Sequence, residues 1–138
     1  MTILVDTSYL FALTNQNDSS HTICAQFAQT VREPLVIPLT VLPEIAYLLD
    51  ARLGHRVMQQ FVAQVARPWW TLEPITPPDL ERTAELLAQY SDSRLDFVDA
   101  TLVALAERFN VRRILTLDRR HFSLIRPRHC PAFELLPS

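Results

Sequence analysis

Four carboxylates in this sequence sit where a solvent-facing acid has little reason to be, and a fifth stands beside one of them. Asp6 directly follows the apolar run Ile3-Leu4-Val5. Glu44 lies within Leu39-Thr40-Val41-Leu42-Pro43-Glu44-Ile45-Ala46-Tyr47-Leu48-Leu49, where apart from Thr40 and Pro43 its surroundings are apolar. Asp96 and Asp99 share the segment from Leu95 to Phe109, and Asp118 follows Arg113-Ile114-Leu115-Thr116-Leu117. A charge among apolar neighbours must be paired or must hold a cation. Carboxylates about 4 Å apart repel by roughly 4 kcal/mol per pair at an effective dielectric of about 20, so acids that converge need a cation as partner. All-oxygen ligation suits Mg²⁺ or Mn²⁺ rather than Zn²⁺.

Each acid also has a plainer use. Asp6 and Asp118 end apolar runs and suit helix caps or turns, and Asp96 suits an N-cap or a first-turn acid. Glu44 is favoured by a helix dipole if it lies near a helix start. A capping box headed by Thr40 wants its acid at position 43, where Pro43 stands, so Glu44 is one residue out of register for capping. At about 100° per residue, Val98, Leu102, Leu105, Ala106 and Phe109 fall within an arc of roughly 100°. Asp99 lies about 20° beyond that stripe and Asp96 about 80°, which makes Asp99 the more buried of the two.

The elements that must position these acids follow from periodicity. Ile3–Val5 and Leu35–Ile37 lack polar alternation, as strands buried on both faces do. Further strands are expected over Trp69–Glu73, Arg113–Leu117 and Phe133–Leu136. Helices are expected over Thr7–Leu13, from Asp18 with Ile23, Phe27 and Val31 stacked, from Thr40 to Leu53, along the Val57, Met58, Phe61, Val62, Val65 stripe, from Thr76-Pro77-Pro78-Asp79, and from Leu95 to Phe109. The only glycine, Gly54, stands where a left-handed residue closes a helix. Strands alternating with helices imply an α/β protein, a three-layer α/β/α sandwich around a central parallel sheet. Ligands bind such sheets beyond the carboxyl ends of the strands, where Asp6 and Asp118 fall.

With 138 residues, 49% hydrophobic and 20% charged, the chain reads as a single domain over 1–138 whose core needs no disulfide or structural metal. That composition excludes a disordered tail, a collagen-like chain and a coiled coil. Net charge is −2, and all thirteen basic residues are Arg, a set that reads as codon bias or as phosphate ligation. One Gly against ten Pro argues against a glycine-rich phosphate loop. The start Met1-Thr2-Ile3-Leu4-Val5-Asp6 has no basic region, no apolar run approaches a membrane span, and Cys24 and Cys130 lie far apart. A cytoplasmic protein with reduced thiols and no membrane contact is expected. His21, Cys24, His129 and Cys130 have zinc-like types, but adjacent His129 and Cys130 fit one tetrahedron poorly.

Asp6-Thr7-Ser8-Tyr9-Leu10, the Glu44 helix, Leu95-Asp96-Phe97-Val98-Asp99-Ala100 and Thr116-Leu117-Asp118-Arg119-Arg120-His121-Phe122 together resemble the PIN-domain ribonucleases, and most of all the VapC toxins of toxin–antitoxin pairs. The resemblance spans nearly the whole chain. It implies a PIN-like α/β/α sandwich, Mg²⁺-dependent endonucleolytic cleavage of RNA with Mn²⁺ able to substitute, and a homodimer inhibited by a small cognate antitoxin. It carries the acidic quartet over to Asp6, Glu44, Asp99 and Asp118. Asp6 and Asp99 are then the metal ligands, with Glu44 and Asp118 acting directly or through water. Thr7 or Ser8 matches a supporting hydroxyl, and Asp96 matches an accessory acid. Arg119 and Arg120 are candidates for holding the RNA backbone, or are plain surface arginines.

Other classes fit less well. A haloacid-dehalogenase-type phosphatase wants a second Asp two residues after Asp6, where Ser8 stands, and a receiver domain wants a Lys, which this chain lacks. The alternative from a different class is a catalytically silent PIN-like module that binds RNA or protein. Trp69-Trp70 and the apolar helices before them are core, or else part of a dimer or antitoxin groove.

Overall fold

In the computed structural model, residues 2–138 are described. Five strands form one sheet in the order β3-β2-β1-β4-β5, and every neighbouring pair is parallel. The strands are β1 (Ile3–Val5), β2 (Leu35–Pro38), β3 (Thr71–Glu73), β4 (Arg113–Leu115) and β5 (Glu134–Leu136). β1 is central, and Ile3, Leu4 and Val5 are all buried, which is why that run shows no polar alternation. The edge strand β3 is largely exposed.

The helices between them are α1 (Thr7–Thr14), α2 (His21–Thr30), α3 (Val41–Leu53), α4 (His55–Val65), α5 (Pro77–Gln89), α6 (Phe97–Phe109) and α7 (Arg119–Leu124). Parallel strands joined by right-handed crossovers place α1 to α4 on one face. The reversal of direction between β3 and β4 places α5 and α6 on the other. The helices pack in the pairs α1 with α2, α3 with α4, and α5 with α6. This is the sandwich expected from the alternation of strands and helices. None of these helices is long and apolar enough to cross a membrane.

Most elements lie where periodicity places them, and the departures have identifiable causes. The α5 capping box forms as expected: the Asp79 amide donates to Thr76 Oγ1 at 3.4 Å and the Thr76 amide donates to Asp79 Oδ2 at 3.0 Å. Thr40, by contrast, does not cap α3 through its side chain. Its hydroxyl lies 2.7 Å from the Thr101 hydroxyl, tying α3 to α6. The second helix begins at His21, because Asp18 forms a turn in which its side chain accepts from the Ser20 amide at 2.8 Å. Phe27 and Val31 pack against the core as expected, but at the first turn the buried residue is Cys24 and Ile23 is exposed. Gly54 has φ +101 and ψ 162, a positive φ but an extended ψ. It is the sole link between α3 and α4, a sharp reversal that a side chain would strain. α6 is buried from Asp99 through Ala106, not on one stripe alone, because α5 covers the side turned away from the sheet. The strand expected over Arg113–Leu117 ends at Leu115, and the short α7 was not expected. Trp70 packs against the core as partly buried side chain, whereas Trp69 is 64% exposed.

Candidate active site

β1 and β4 are neighbours in register, with Val5 opposite Leu115. The residues immediately beyond them, Asp6 and Thr116, therefore stand side by side. This is also where the strand order reverses, the place where a parallel sheet opens a crevice at its carboxyl edge. A cleft of about 230 Å³ lies there, lined by Asp6, Thr7, Ser8, Glu44, Leu48, Asp96, Asp99 and Asp118. All five singled-out acids and both candidate hydroxyl residues thus share one site. No Arg lines it.

Asp6 occupies the N-cap position of α1, yet its side chain makes no cap hydrogen bond. Oδ2 instead accepts from Ser8 Oγ at 2.9 Å and from Thr116 Oγ1 at 2.7 Å. Ser8 Oγ in turn accepts from the Leu117 amide at 2.9 Å, and Thr116 Oγ1 from the Asp118 amide at 2.9 Å. Two strand ends are thereby laced together through one carboxylate. Burial pushes the Asp6 carboxyl above its ordinary value, against the pull of the Thr116 and Ser8 donors.

Asp99 is 4% exposed, and its Oδ2 has no hydrogen-bond partner. Burial, then the charges of Asp6, Asp96, Asp118 and Glu44, push its carboxyl up to about 9. Such a group is costly unless something compensates it. Asp96 is exposed and does cap α6, its Oδ1 accepting from the Asp99 amide at 2.8 Å. The cap sets the start of the helix that aims Asp99. Glu44 lies in the first turn of α3. Burial raises its carboxyl, as do Asp96 and Asp6, while the Thr7 hydroxyl pulls the other way. Asp118 caps α7, its side chain accepting from the His121 amide at 3.4 Å.

Two further residues belong to the site. Thr116 donates to Asp6, but only the pairing of β1 with β4 brings them together, and periodicity does not reveal strand pairing. His121 Nδ1 lies 3.1 Å from Asp118 Oδ2 and 3.6 Å from Asp99 Oδ2. Its spacing of three from Asp118 was the available signal, and a six-residue helix is too short for periodicity to expose it. Arg119 and Arg120 open α7 and are exposed. The Arg119 guanidinium donates to the Pro137 carbonyl, so part of its donor fork is already engaged. The zinc-like residues stay apart from the cleft: His21 Nδ1 contacts the Ala12 carbonyl and His129 Nε2 the Val111 carbonyl.

The donor set fits a hard divalent cation. Carboxylate oxygens dominate, two buried oxygens of the lining, Asp99 Oδ2 and Thr7 Oγ1, are orphaned, and among the described residues Asp99, Asp118 and His121 offer ligand atoms within 4.8 Å of one another.

Residues 3–126 match the PIN domain family model. The chain is 32% identical to Ribonuclease VapC26 of Mycobacterium tuberculosis, over 98% of this chain and 100% of that one. The crystal structure of Mycobacterium tuberculosis VapC20, described as a Sarcin-Ricin loop cleaving toxin, superposes with a TM-score of 0.77 at 28% identity, covering 81% of this chain and 86% of that one. A toxin–antitoxin complex from Klebsiella pneumoniae shares the fold with a TM-score of 0.69 at 20% identity, covering 89% and 92%.

Proposed function

This chain belongs to the PIN domain family, and on that premise we propose that it is a Mg²⁺-dependent endoribonuclease of the VapC kind. The observation that carries the proposal is Asp99: a buried carboxylate with an orphaned oxygen, facing four other acids and, among the described residues, no Arg. Asp6 and Asp99 would hold the ion, with Glu44 and Asp118 contributing directly or through water. Mn²⁺ would substitute. When bound, such an ion supplies Lewis-acid activation of a water and neutralises charge on the phosphodiester under attack.

The protein's own groups prepare that chemistry. Ser8 and Thr116 both donate to Oδ2 of Asp6, which fixes the carboxylate's orientation and keeps Oδ1 clear of side-chain donors. Asp96 anchors the first turn of α6, and through it the position of Asp99. Asp99, whose proton is held up to about 9, must release it to act as a ligand, so binding is coupled to proton release. Leu48 supplies an apolar wall. Arg120 is the freer candidate for an RNA phosphate, since Arg119 is tied to Pro137.

The proposal includes a small antitoxin and a second copy of the chain as partners. The relationship to proteins named VapC supports it. So does an apolar groove of about 580 Å³, lined in part by Leu10, Leu13, Val57, Phe61 and Trp70.

The test is direct. Purified protein should cleave RNA with Mg²⁺, lose the activity with EDTA and regain it on adding Mg²⁺. Binding of RNA without any cleavage, whatever the metal, would make the chain a silent binding module instead.

A further inference from the structure

His121 stands beside the cleft, against two of the acids that line it, and the metal set of Asp6, Asp99, Glu44 and Asp118 gives it no task. Its Nδ1 points at two carboxylate oxygens, 3.1 Å from Asp118 Oδ2 and 3.6 Å from Asp99 Oδ2. Two ligands held about 2.1 Å from an octahedral cation at right angles stand about 3.0 Å apart. The 3.1 Å separation matches that edge length, the 3.6 Å one exceeds it by about 0.6 Å, and the three groups lie within 4.8 Å of one another. The second oxygen, Asp99 Oδ2, is buried and has no hydrogen-bond donor at all. A positioning role for His121 toward Asp118 alone would not account for the approach of Nδ1 to that oxygen at 3.6 Å. A cation between the three groups accounts for both.

We infer that His121 is a metal ligand, completing with Asp99 and Asp118 a mixed nitrogen–oxygen position on the α7 side of the cleft. The inference rests on the nuclease reading and narrows it. Imidazole ligation favours Mn²⁺ and other transition ions, whereas Mg²⁺ prefers oxygen. The site should therefore bind Mn²⁺ more tightly than Mg²⁺ by a margin that depends on His121. To ligate, Nδ1 must offer its lone pair, with the proton on Nε2. Two other histidines are already committed through ring nitrogens to backbone carbonyls, His21 to Ala12 and His129 to Val111, and His55 is exposed beside Asp50 on the α3–α4 turn.

Pulsed electron paramagnetic resonance of the full chain loaded with Mn²⁺ reads the ligand directly. The expected result is ¹⁴N coupling from one imidazole in the wild type, lost in His121→Asn and His121→Gln while Mn²⁺ still binds. Competition titrations should show the Mn²⁺-over-Mg²⁺ preference falling about tenfold in the variants. If neither variant folds, the wild-type spectrum alone decides. Mn²⁺ bound without nitrogen coupling, or coupling that survives both substitutions, overturns the role of His121 and leaves the nuclease reading standing. Failure of the wild type to bind Mn²⁺ or Mg²⁺ overturns both.

Discussion

Asp79 and Asp99 are nearly equally buried, at 3% and 4% exposure, yet their carboxyls are driven in opposite directions. Burial pushes Asp79 up, but Arg108 and Thr76 outweigh it and hold the group below its ordinary value. Arg108 Nε donates to Asp79 Oδ1 at 2.9 Å, and Thr76 donates to Oδ2 through its amide and its hydroxyl. Glu107 nearby is treated alike: Arg82 grips it with two bonds of 2.7 and 3.1 Å, and the Arg128 amide adds a third. It too is held below the ordinary carboxylate range, with burial again outweighed. Asp99 has no such partner and is raised. The protein thus owns arginines and uses them against buried acids on the α5–α6 surface, but withholds them at the carboxyl edge. Burial alone does not separate the two regions; the presence of a built-in counter-charge does. An acid cluster left without one is what a site for an exchangeable cation requires.

The largest effect should come from activity. Asp6→Asn, Glu44→Gln and Asp99→Asn should each lower RNA cleavage by orders of magnitude while the protein stays folded, measured by single-turnover cleavage and circular dichroism. Asp118→Asn should cost less, and Asp96→Asn least, because its role is a cap that Asn also fills well. Near-normal cleavage by any of the first three removes that residue from the site. Next in size is the paired region. Arg82→Ala strands the buried Glu107 carboxylate and should destabilise the fold by ~3 kcal/mol in denaturant titrations, with no direct effect on catalysis. A variant as stable as wild type would erase the contrast drawn between the two regions.

The two regions should also respond oppositely to pH. The folded protein keeps a proton on Asp99 up to about 9 against an ordinary 3.8, so between those values it binds more protons than the unfolded chain. Stability from this group is fully present near the lower value and is lost as pH rises toward the upper one. For Asp79 and Glu107, both lowered, the contribution is present above about 4 and is lost as pH falls below it. In metal-free protein, Asp99→Asn should therefore gain on wild type as pH rises from about 4 to 8, by ~1 kcal/mol or more at neutrality. Melting curves in EDTA across that range check it, and a constant gap would contradict it. The smallest effect is expected at Thr76→Ala, about 1 kcal/mol from the lost cap, read from the shift in denaturation midpoint.

Local rules carried much of this architecture. The unalternating Ile3–Val5 run announced a central parallel strand, and Asp6 followed at its end. Helix geometry ranked Asp99 as more buried than Asp96, and Pro43 in the capping-box position marked Glu44 as out of register. The Thr76-Pro77-Pro78-Asp79 cap was legible because its partners are three residues apart. Tertiary pairings were not. Thr116 reaches Asp6 only across neighbouring strands, and Arg82 meets Glu107 only where α5 packs on α6. His121 lies on a helix too short to leave a period. Ile23 misled because the turn at Asp18 delays the start of α2 to His21 and Cys24 fills the core at its first turn, while Phe27 and Val31 pack as the period predicts.

The central claim is that the carboxyl-edge acids lack an arginine counter-charge because a cation is their partner. Thermal midpoints of wild type and Asp99→Asn, each in EDTA and in millimolar Mg²⁺, test it without any RNA. The account predicts that the substitution raises the midpoint in EDTA, by relieving repulsion. It also predicts that Mg²⁺ raises the wild-type midpoint more than that of the variant, because the ion binds the native site preferentially. If the substitution instead lowers the midpoint in EDTA and Mg²⁺ shifts both proteins equally, Asp99 is a structural acid and the cation site is wrong.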